Sequence, residues 1–182
     1  YTKALARSMS NAKQVKAAAP LNNGLPTADN FDSGDGVSLF NTSHTTVSGT
    51  SVKNTLTTQA DLNETSLEQA LIDIAAFTDE RGLRVAAKGV KMIIPSANQF
   101  SAERLLKSQG RTGTADNDIN AVASMGMVPQ GYRVNNFLTD SDSWYIITDC
   151  PNGMKMFTRA PLTTAMEGDF DTGNVRYKAR ER

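Results

Sequence analysis

The stretch TSLEQALIDIAAFTDERG, residues 65–82, decides the fold because it combines helix-terminating signals with an apolar face. Thr65 and Glu68 have the spacing of a capping box, in which each side chain bonds the other residue's backbone. Gly82 is the expected end of this helix. Ile72 and Phe77 add a second apolar edge, so burial on more than one side is expected. The main face repeats at intervals of three and four residues: Leu67, Ala70, Leu71, Ile74, Ala75 and Thr78.

A strand, a second helix and a polar loop follow. The run VKMIIPS, residues 90–96, is short, apolar and ended by proline, which predicts a buried strand. In SANQFSAERLLKSQG, residues 96–110, Ser96 and Gln99 again have capping-box spacing and Gly110 is the expected stop. The next stretch, RTGTADNDINAVASMG, predicts a polar loop that leads into a short helix from about Asp118.

The preceding part of the chain divides into a helix and an irregular connection. Residues 1–19 predict a helix with a narrow buried stripe, closed by Pro20 and the Asn-Asn-Gly run after it. Residues 25–58 are rich in Thr, Ser, Asn, Asp and Gly, with apolar residues only in ones and twos. We expect short strands there at Val37–Phe40 and Ser51–Leu56.

The last third of the chain predicts strands. Five methionines of this region are expected as core filler: Met125, Met127, Met154, Met156 and Met166. Residues 174–182 alternate apolar and basic side chains, as in a half-buried strand. The predicted strands lie within MVPQGYRVNNFL (127–138), SWYIITDC (143–150), NGMKMFTRAP (152–161) and TTAMEGDFDTGNVRYKARER (163–182), and the order of elements is that of an α+β fold.

Composition excludes several classes of protein. The chain has 182 residues, with 19 Lys plus Arg and 19 Asp plus Glu, so its formal net charge is zero. A general attraction to nucleic acid or an anionic membrane is therefore not expected, and no apolar run has the length of a membrane span. The single Cys150 excludes an internal disulfide framework. Because the chain begins inside a helix at Tyr1 and stops inside a strand at Arg182, we expect a fragment of a longer protein.

The residues that most often carry chemistry form no recognisable site. His44 is the only histidine, and an ordinary loop position is favoured over a metal ligand because no partners stand at ligand spacing. A hydrolytic Ser-His-acid set stays open, since geometry and not sequence order defines one. Cys150 has no histidine near it in the sequence, which favours a buried, inert thiol.

Three further motifs have plainer explanations than binding. In DNFDSGDG, residues 29–36, the acids are spaced by three, which favours turn chemistry over a calcium loop. GRTGTADND, residues 110–118, lacks the ending of a phosphate loop and predicts an exposed loop. The basic run Arg176, Lys178 and Arg180 favours a solvated or subunit-facing side over a phosphate site. We therefore expect no enzyme activity, no metal and no cofactor.

Several stretches together resemble the major capsid proteins of tailed bacteriophages, most closely the head subunit of Mu-like phages. They occur in the family's order over almost the whole chain, although no single one is specific. The stretches are ARSMSNAKQVKAA, GDGVSLFNTSH, ETSLEQALIDIAAFTDERG, MIIPSANQFSAERLLKS, TADNDINAVASMGMVPQGYRVNNFL, WYIITDCPNGMKMFTRAP and DFDTGNVRYKARER.

This resemblance implies the tailed-phage capsid fold, with a peripheral and an axial domain. Residues 1–61 would be the end of the long spine helix and an irregular peripheral connection, residues 62–161 the axial domain, and residues 162–182 the return strands of the peripheral domain. The family's N-terminal arm, its extended loop and its C-terminal strand have no counterpart here, which would explain why the chain stops in the middle of a strand.

The resemblance also implies a function. The chain would be a structural coat subunit that self-assembles into the icosahedral head around phage double-stranded DNA, located in the virion and in the host cytoplasm during assembly. Its partners would be other copies of itself in pentamers and hexamers, a scaffolding protein and a portal. It would contact the packaged DNA only indirectly, and it would not bind a membrane. An encapsulin-like cargo shell of the same fold and an unrelated hydrolase or binding domain stay open as alternatives.

The resemblance places the loop at residues 110–120 at the inner tip of the axial domain, where five or six copies converge. Its glycines would let the loop adopt the geometry of both a five-fold and a six-fold axis. Arg111 and Asp116 would form an ion pair between neighbouring copies. The candidate subunit-interface residues are Gly110, Arg111, Gly113, Thr114, Asp116, Asn117, Asp118 and Asn120.

Overall fold

The computed structural model describes residues 2–25, 32–111 and 118–181, and it is a mixed α and β structure. The chain forms two compact units, one of Tyr1–Ala19 with Asn152–Arg182 and one of Pro20–Pro151. The elements are α1 (Thr2–Asn22), β1 (His44–Thr45), β2 (Ser51–Val52), α2 (Glu64–Ala75), β3 (Gly89–Ile94), a 3-10 turn (Ser96–Asn98), α3 (Gln99–Lys107), α4 (Ala121–Met125), β4 (Tyr132–Val134), β5 (Tyr145–Thr148), β6 (Thr163–Gly168) and β7 (Val175–Arg180).

Helix α1 ends at Asn22, in the Asn-Asn-Gly run that the sequence predicted to close it, but it passes through Pro20, which was expected to close it as well. Proline removes one hydrogen bond to the residue four positions earlier, but only two helical residues follow it, so the loss is confined to the last turn. Groups outside the helix stabilise this end. The Tyr145 hydroxyl donates to the Leu21 carbonyl at 2.7 Å, and the Asn22 side chain bonds the backbone of residues 137 and 139.

Helix α2 begins one residue earlier than its predicted cap. Its N-cap is Asn63, whose side chain accepts from the Ser66 N–H at 2.9 Å, while the Ser66 hydroxyl accepts from the Asn63 N–H at 3.0 Å. The capping box predicted at Thr65 and Glu68 is therefore wrong. Asn63 holds extended backbone and is an equally good cap, which leaves Thr65 inside the first turn.

The end of α2 also differs from the prediction. The helix stops at Ala75, and a tight hairpin follows, with an isolated bridge between Thr78 and Arg84. The Asp79 carboxylate accepts from the N–H groups of Arg81 and Leu83 at 2.9 and 2.8 Å, and Gly82 adopts a φ of 80°. Gly82 therefore supplies left-handed backbone to this turn and does not end the helix.

The core of the larger unit is built around β3, the strand predicted from the sequence. β3 lies in the centre of a three-stranded sheet, parallel to β4 and antiparallel to β5. Met92 and Ile94 are fully buried between the sheet and the helices. Ile72, expected to form a second buried edge of α2, is 61% exposed. The buried cluster consists of Leu67, Leu71, Met92, Ile94, Ala102, Leu105, Val122 and Val128.

Asn120 connects the two helices that follow β3. Its side-chain oxygen accepts from the Ala123 N–H at 3.2 Å and caps α4, which begins at Ala121 instead of about Asp118. Its side-chain nitrogen donates to the Leu105 carbonyl at 2.8 Å. That carbonyl belongs to the last turn of α3, whose carbonyls have no partner within the helix. One side chain, only 5% exposed, therefore satisfies the end of α3 and the start of α4.

Other predicted boundaries are corrected by backbone pairing. Ser96 and Gln99 form no capping box: a 3-10 turn precedes α3, and no side chain caps that helix. Helix α3 ends at Lys107, before Gly110, because Ser108 is extended. Val37–Phe40 is reduced to a bridge at Ser38, and residues 152–161 contain no strand because no neighbouring strand pairs with them in the described chain.

The smaller unit contains a β-hairpin formed by β6 and β7. The two strands that the sequence predicted within residues 163–182 are antiparallel over six pairs, from Thr163–Arg180 to Gly168–Val175. The Lys13 ammonium lies 2.5 Å from the Glu181 carboxylate and ties α1 to the end of the hairpin. The predicted burial of one side of β7 is not seen, because all but one of its residues are exposed.

The close approach at Gly89 generates a prediction. A Cβ at this position would lie 2.9 Å from Leu71 Cδ2 and 3.1 Å from Ile146 Cγ2. Because both neighbours are packed in the core, Gly89→Ala should lower the free energy of unfolding by about 1–3 kcal/mol through overpacking, measured by urea denaturation. Gly34→Ala is the matched control, since a Cβ there meets nothing within 4 Å. Equal stability of the two variants would contradict the packing argument.

Asn120 generates a second prediction. Asn120→Ala removes the cap of α4 and leaves the buried Leu105 carbonyl without its partner, so it should cost about 2–3 kcal/mol. Thermal and urea unfolding of the same samples measure this loss. The exposed Asn136→Ala should change stability by less than about 0.5 kcal/mol. A similarly small effect of Asn120→Ala would show that its two bonds do not stabilise the fold.

Candidate subunit interface

Backbone hydrogen bonds define the base of the predicted interface loop. The Arg111 N–H donates to the Asp118 carbonyl at 2.9 Å, and the Asn120 N–H donates to the Gln109 carbonyl at 3.2 Å. Gly110 and Ile119 form an isolated antiparallel bridge between these bonds. The base is therefore a short ladder that starts directly after α3 and ends directly before α4.

The predicted site residues separate into those at this base and those beyond it. Gly110, Arg111 and Asp118 are exposed at the base. Asn120 is buried, and its amide is used by α3 and α4 of its own chain. The other four, Gly113, Thr114, Asp116 and Asn117, lie outside the described residues.

Arg111 forms an ion pair within its own chain. Its Nε lies 3.0 Å from the Glu64 carboxylate, and Glu64 stands in the first turn of α2, where a negative charge is favoured. The pair is worth ~0–1 kcal/mol because the arginine is half exposed to solvent. It connects the loop base to α2. The pairing of Arg111 with Asp116 of a neighbouring copy stays a prediction.

Two large apolar residues beside the loop were not predicted as site residues. Ile119 is 72% exposed and Met125 is 70% exposed, although the buried residues Asn120 and Val122 lie between them in the sequence. Met125 was expected in the core, so that prediction is wrong. Exposed apolar surface of this kind is a candidate contact surface for another subunit. The only signal in the sequence is that Ile119 is a lone apolar residue in a polar loop.

A second polar cluster surrounds Asp35. His44 lies in β1, not in a loop as predicted, and its Nδ1 is 2.9 Å from Asp35 Oδ2. Asp35 also accepts from the Ser33 hydroxyl. These bonds, first that of Ser33 and then that of His44, lower the pKa of Asp35 to about 2. The Ser33 N–H bonds the Val37 carbonyl at 2.7 Å, so the described part of this motif is a turn, as predicted.

A third cluster links α3 to the sheet. The Glu103 carboxylate lies 2.9 Å from the Lys107 ammonium one turn along α3. Hydrogen bonds from Lys107 and then Tyr132 lower the pKa of Glu103, and the bond to Glu103 raises the pKa of Tyr132. Because Tyr132 lies in β4, the interaction of Glu103 with Tyr132 runs from α3 to an edge strand of the sheet.

The described residues contain no group of metal ligands, one free thiol and no helix that could span a membrane. Within the described ranges, no three His, Cys, Asp or Glu side chains are grouped so that they could hold a metal ion. Cys150 is a free thiol, and it is partly exposed, not buried as predicted. A helix needs about 20 apolar residues to cross a bilayer, and none in the described ranges meets that requirement.

Comparison with known proteins identifies the family. A family model described as phage capsid protein matches residues 1–182, the whole of the chain. No curated protein and no solved structure matches. The family is one of structural proteins that assemble with other capsid subunits, and the mixed α and β structure is compatible with it. The chain belongs to the phage capsid protein family.

Proposed function

We propose that this chain is the coat subunit of a tailed-phage head of the Mu-like type, which self-assembles into an icosahedral shell enclosing double-stranded DNA. The observation that carries the proposal is the match of the phage capsid family model to all 182 residues. Copies of the chain are the main partners in pentamers and hexamers, and a scaffolding protein and a portal are the further ones. The subunit acts in the virion after assembly in the host cytoplasm.

The surface of the chain supports an assembling role. Large apolar side chains are exposed in both units, including Phe100, Ile119, Phe157 and Phe170. A two-stranded hairpin is marginally stable by itself in water, yet β6 and β7 expose both faces. Contacts with neighbouring copies would bury such residues and stabilise the hairpin.

The two domains of the capsid fold are part of the proposal. We assign residues 1–61 and 162–182 to the peripheral domain and residues 62–161 to the axial domain. Support comes from the smaller compact unit, which groups α1 with β6 and β7. The limits of this unit, Ala19 and Asn152, differ from the proposed ones: the connection up to residue 61 falls in the larger unit, and residues 152–161 fall in the smaller one.

The loop at residues 110–120 is proposed to meet its copies at the five-fold and six-fold axes. Backbone bonds and the Asn120 side chain fix the base of this loop, at residues 109–111 and 118–120. Ile119 and Met125 extend the polar candidate set with exposed apolar surface. Interfaces commonly combine an apolar centre with a polar rim, and these residues supply both.

Electron microscopy of the complete gene product tests the function. We expect closed shells of uniform diameter, and particles isolated from phage-producing cells should contain double-stranded DNA. Shells that contain protein cargo and no DNA would favour an encapsulin-like role instead. A monomer that stays unassembled with scaffolding protein present would contradict the proposal.

Ile119→Asp tests the place of the loop in the shell. A carboxylate buried without a partner between copies should lower shell yield by at least about tenfold, since 1.4 kcal/mol is tenfold in an equilibrium. The unfolding of the unassembled chain should hardly change, because Ile119 is exposed.

Ile72→Asp is the matched control, because Ile72 is also a mostly exposed isoleucine but lies on α2. It should leave shell yield near normal. Quantitative sedimentation of both variants measures the difference. Normal assembly of Ile119→Asp would remove the loop from the subunit interface.

A further inference from the structure

The described residues of the larger unit line a pocket that none of them fills. Its volume is about 460 Å³, and its walls include the aromatic rings of Phe40, Phe77, Trp144 and Tyr145. The indole N–H of Trp144 donates to the Ala60 carbonyl at 3.0 Å, and the rings of Phe40 and Tyr145 have centroids 5.3 Å apart. These contacts hold the walls in place without filling the space between them.

Acidic side chains surround this aromatic pocket. Four aspartates line it against one lysine, Lys53, whose ammonium lies 2.8 Å from Asp73. The carboxylates of Asp61, Asp140 and Asp142 have no ion pair with another described residue. The pocket therefore has an apolar interior and an excess of negative charge, which suits an apolar group flanked by cations.

One segment of the same chain has the complementary chemistry. In MKMFTR, residues 154–159, Met154 and Met156 are exposed and Phe157 is 86% exposed. The prediction that these methionines fill the core is therefore wrong. Lys155 and Arg159 add two positive charges, and no acidic residue lies between Asp149 and Glu167. A contiguous run of exposed apolar side chains usually marks a contact surface.

We propose that the segment 154–159 of one copy docks in this pocket of a second copy, with Phe157 as the buried anchor. The inference rests on the proposed function, because only an assembling protein presents many copies to one another. A phenylalanine ring buries roughly 150–250 Å², and docking brings Lys155 and Arg159 of one copy to the unpaired aspartates of the other copy. A single such contact is weak and gains strength by repetition around the shell.

Trp144 provides a direct measurement because it is the only tryptophan and lines the pocket. A peptide of residues 152–160 is titrated into the full chain carrying Phe157→Ala, and tryptophan emission is followed. We expect a saturable change in emission. The same peptide with Phe157→Ala should produce none, and Asp140→Asn with Asp142→Asn should weaken binding by roughly 3–10-fold at low salt. The absence of a saturable change at millimolar peptide would overturn the proposal.

A second titration distinguishes docking between copies from docking within one chain. A copy with Trp144→Phe emits no tryptophan fluorescence but presents its own segment. Its addition to the Phe157→Ala copy should change the emission of that copy's Trp144. The proposal fails if the peptide binds but the Trp144→Phe copy does not change the emission, and if dilution leaves the emission of the unmodified chain constant. In that case the segment occupies the pocket of its own chain.

Electron microscopy separates failure of the inference from failure of the function. Shells from the unmodified gene product, with a large loss of shells for Phe157→Ala, support both. Normal shells from Phe157→Ala would contradict the docking role and leave the coat function intact. If the unmodified protein makes no shells, the proposed function fails, and the two fluorescence titrations still decide whether the segment and the pocket bind each other.

Discussion

The burial of β3 is the constraint on which the larger unit depends. Met92 and Ile94 lose all contact with solvent, and both edges of the strand are paired, by β4 and β5. Two flanking helices, α2 and α3, contribute Leu67, Leu71 and Leu105 to the same cluster. Gly89 sets how closely α2 approaches the sheet, because Leu71 and Ile146 occupy the space where a side chain would be. Helix position and strand position are therefore determined together.

Polar side chains complete this arrangement where the backbone leaves groups unpaired. Asn63 with Ser66 closes the start of α2, Asn120 joins α3 to α4, and Asn22 bonds the turn after β4. Asn63 and Asn120 satisfy helix-end groups that have no partner inside the helix, and Asn22 satisfies backbone groups of the turn. Asn120 also fixes the base of the loop at residues 110–120. The bonds of Asn120 to α3 and α4 therefore support the proposed interface as well as the core.

The surface of the chain carries large apolar side chains that the core does not use. Apolar residues such as Ile119, Met125 and Phe157 stay exposed although the interior has a well-packed cluster. Such exposure is costly for a protein that stays alone, because apolar surface is driven out of water. Because the chain belongs to the phage capsid family, contacts with neighbouring subunits can bury these residues. Neutral overall charge is compatible with close packing of many identical copies.

The sequence by itself determined the α and β character, the apolar face of α2, the buried strand β3 and the presence of strands β6 and β7, because these depend on local periodicity. The order of its stretches also led to the capsid family. It misplaced the caps at Thr65 and Ser96, the strand at residues 152–161 and four of the five methionines, whereas Met127 does pack against the core. Burial and strand pairing depend on partners that are distant in the sequence, and the α2 cap was missed because Asn63 competes locally with Thr65. Only the tertiary structure decided that Asn120 serves two helices, that Arg111 meets Glu64 and that an acidic, aromatic pocket exists. The Arg111–Glu64 pair joins residues 47 positions apart, and the Trp144–Ala60 bond in the pocket wall joins residues 84 positions apart. No local pattern in the sequence records which of these residues come together.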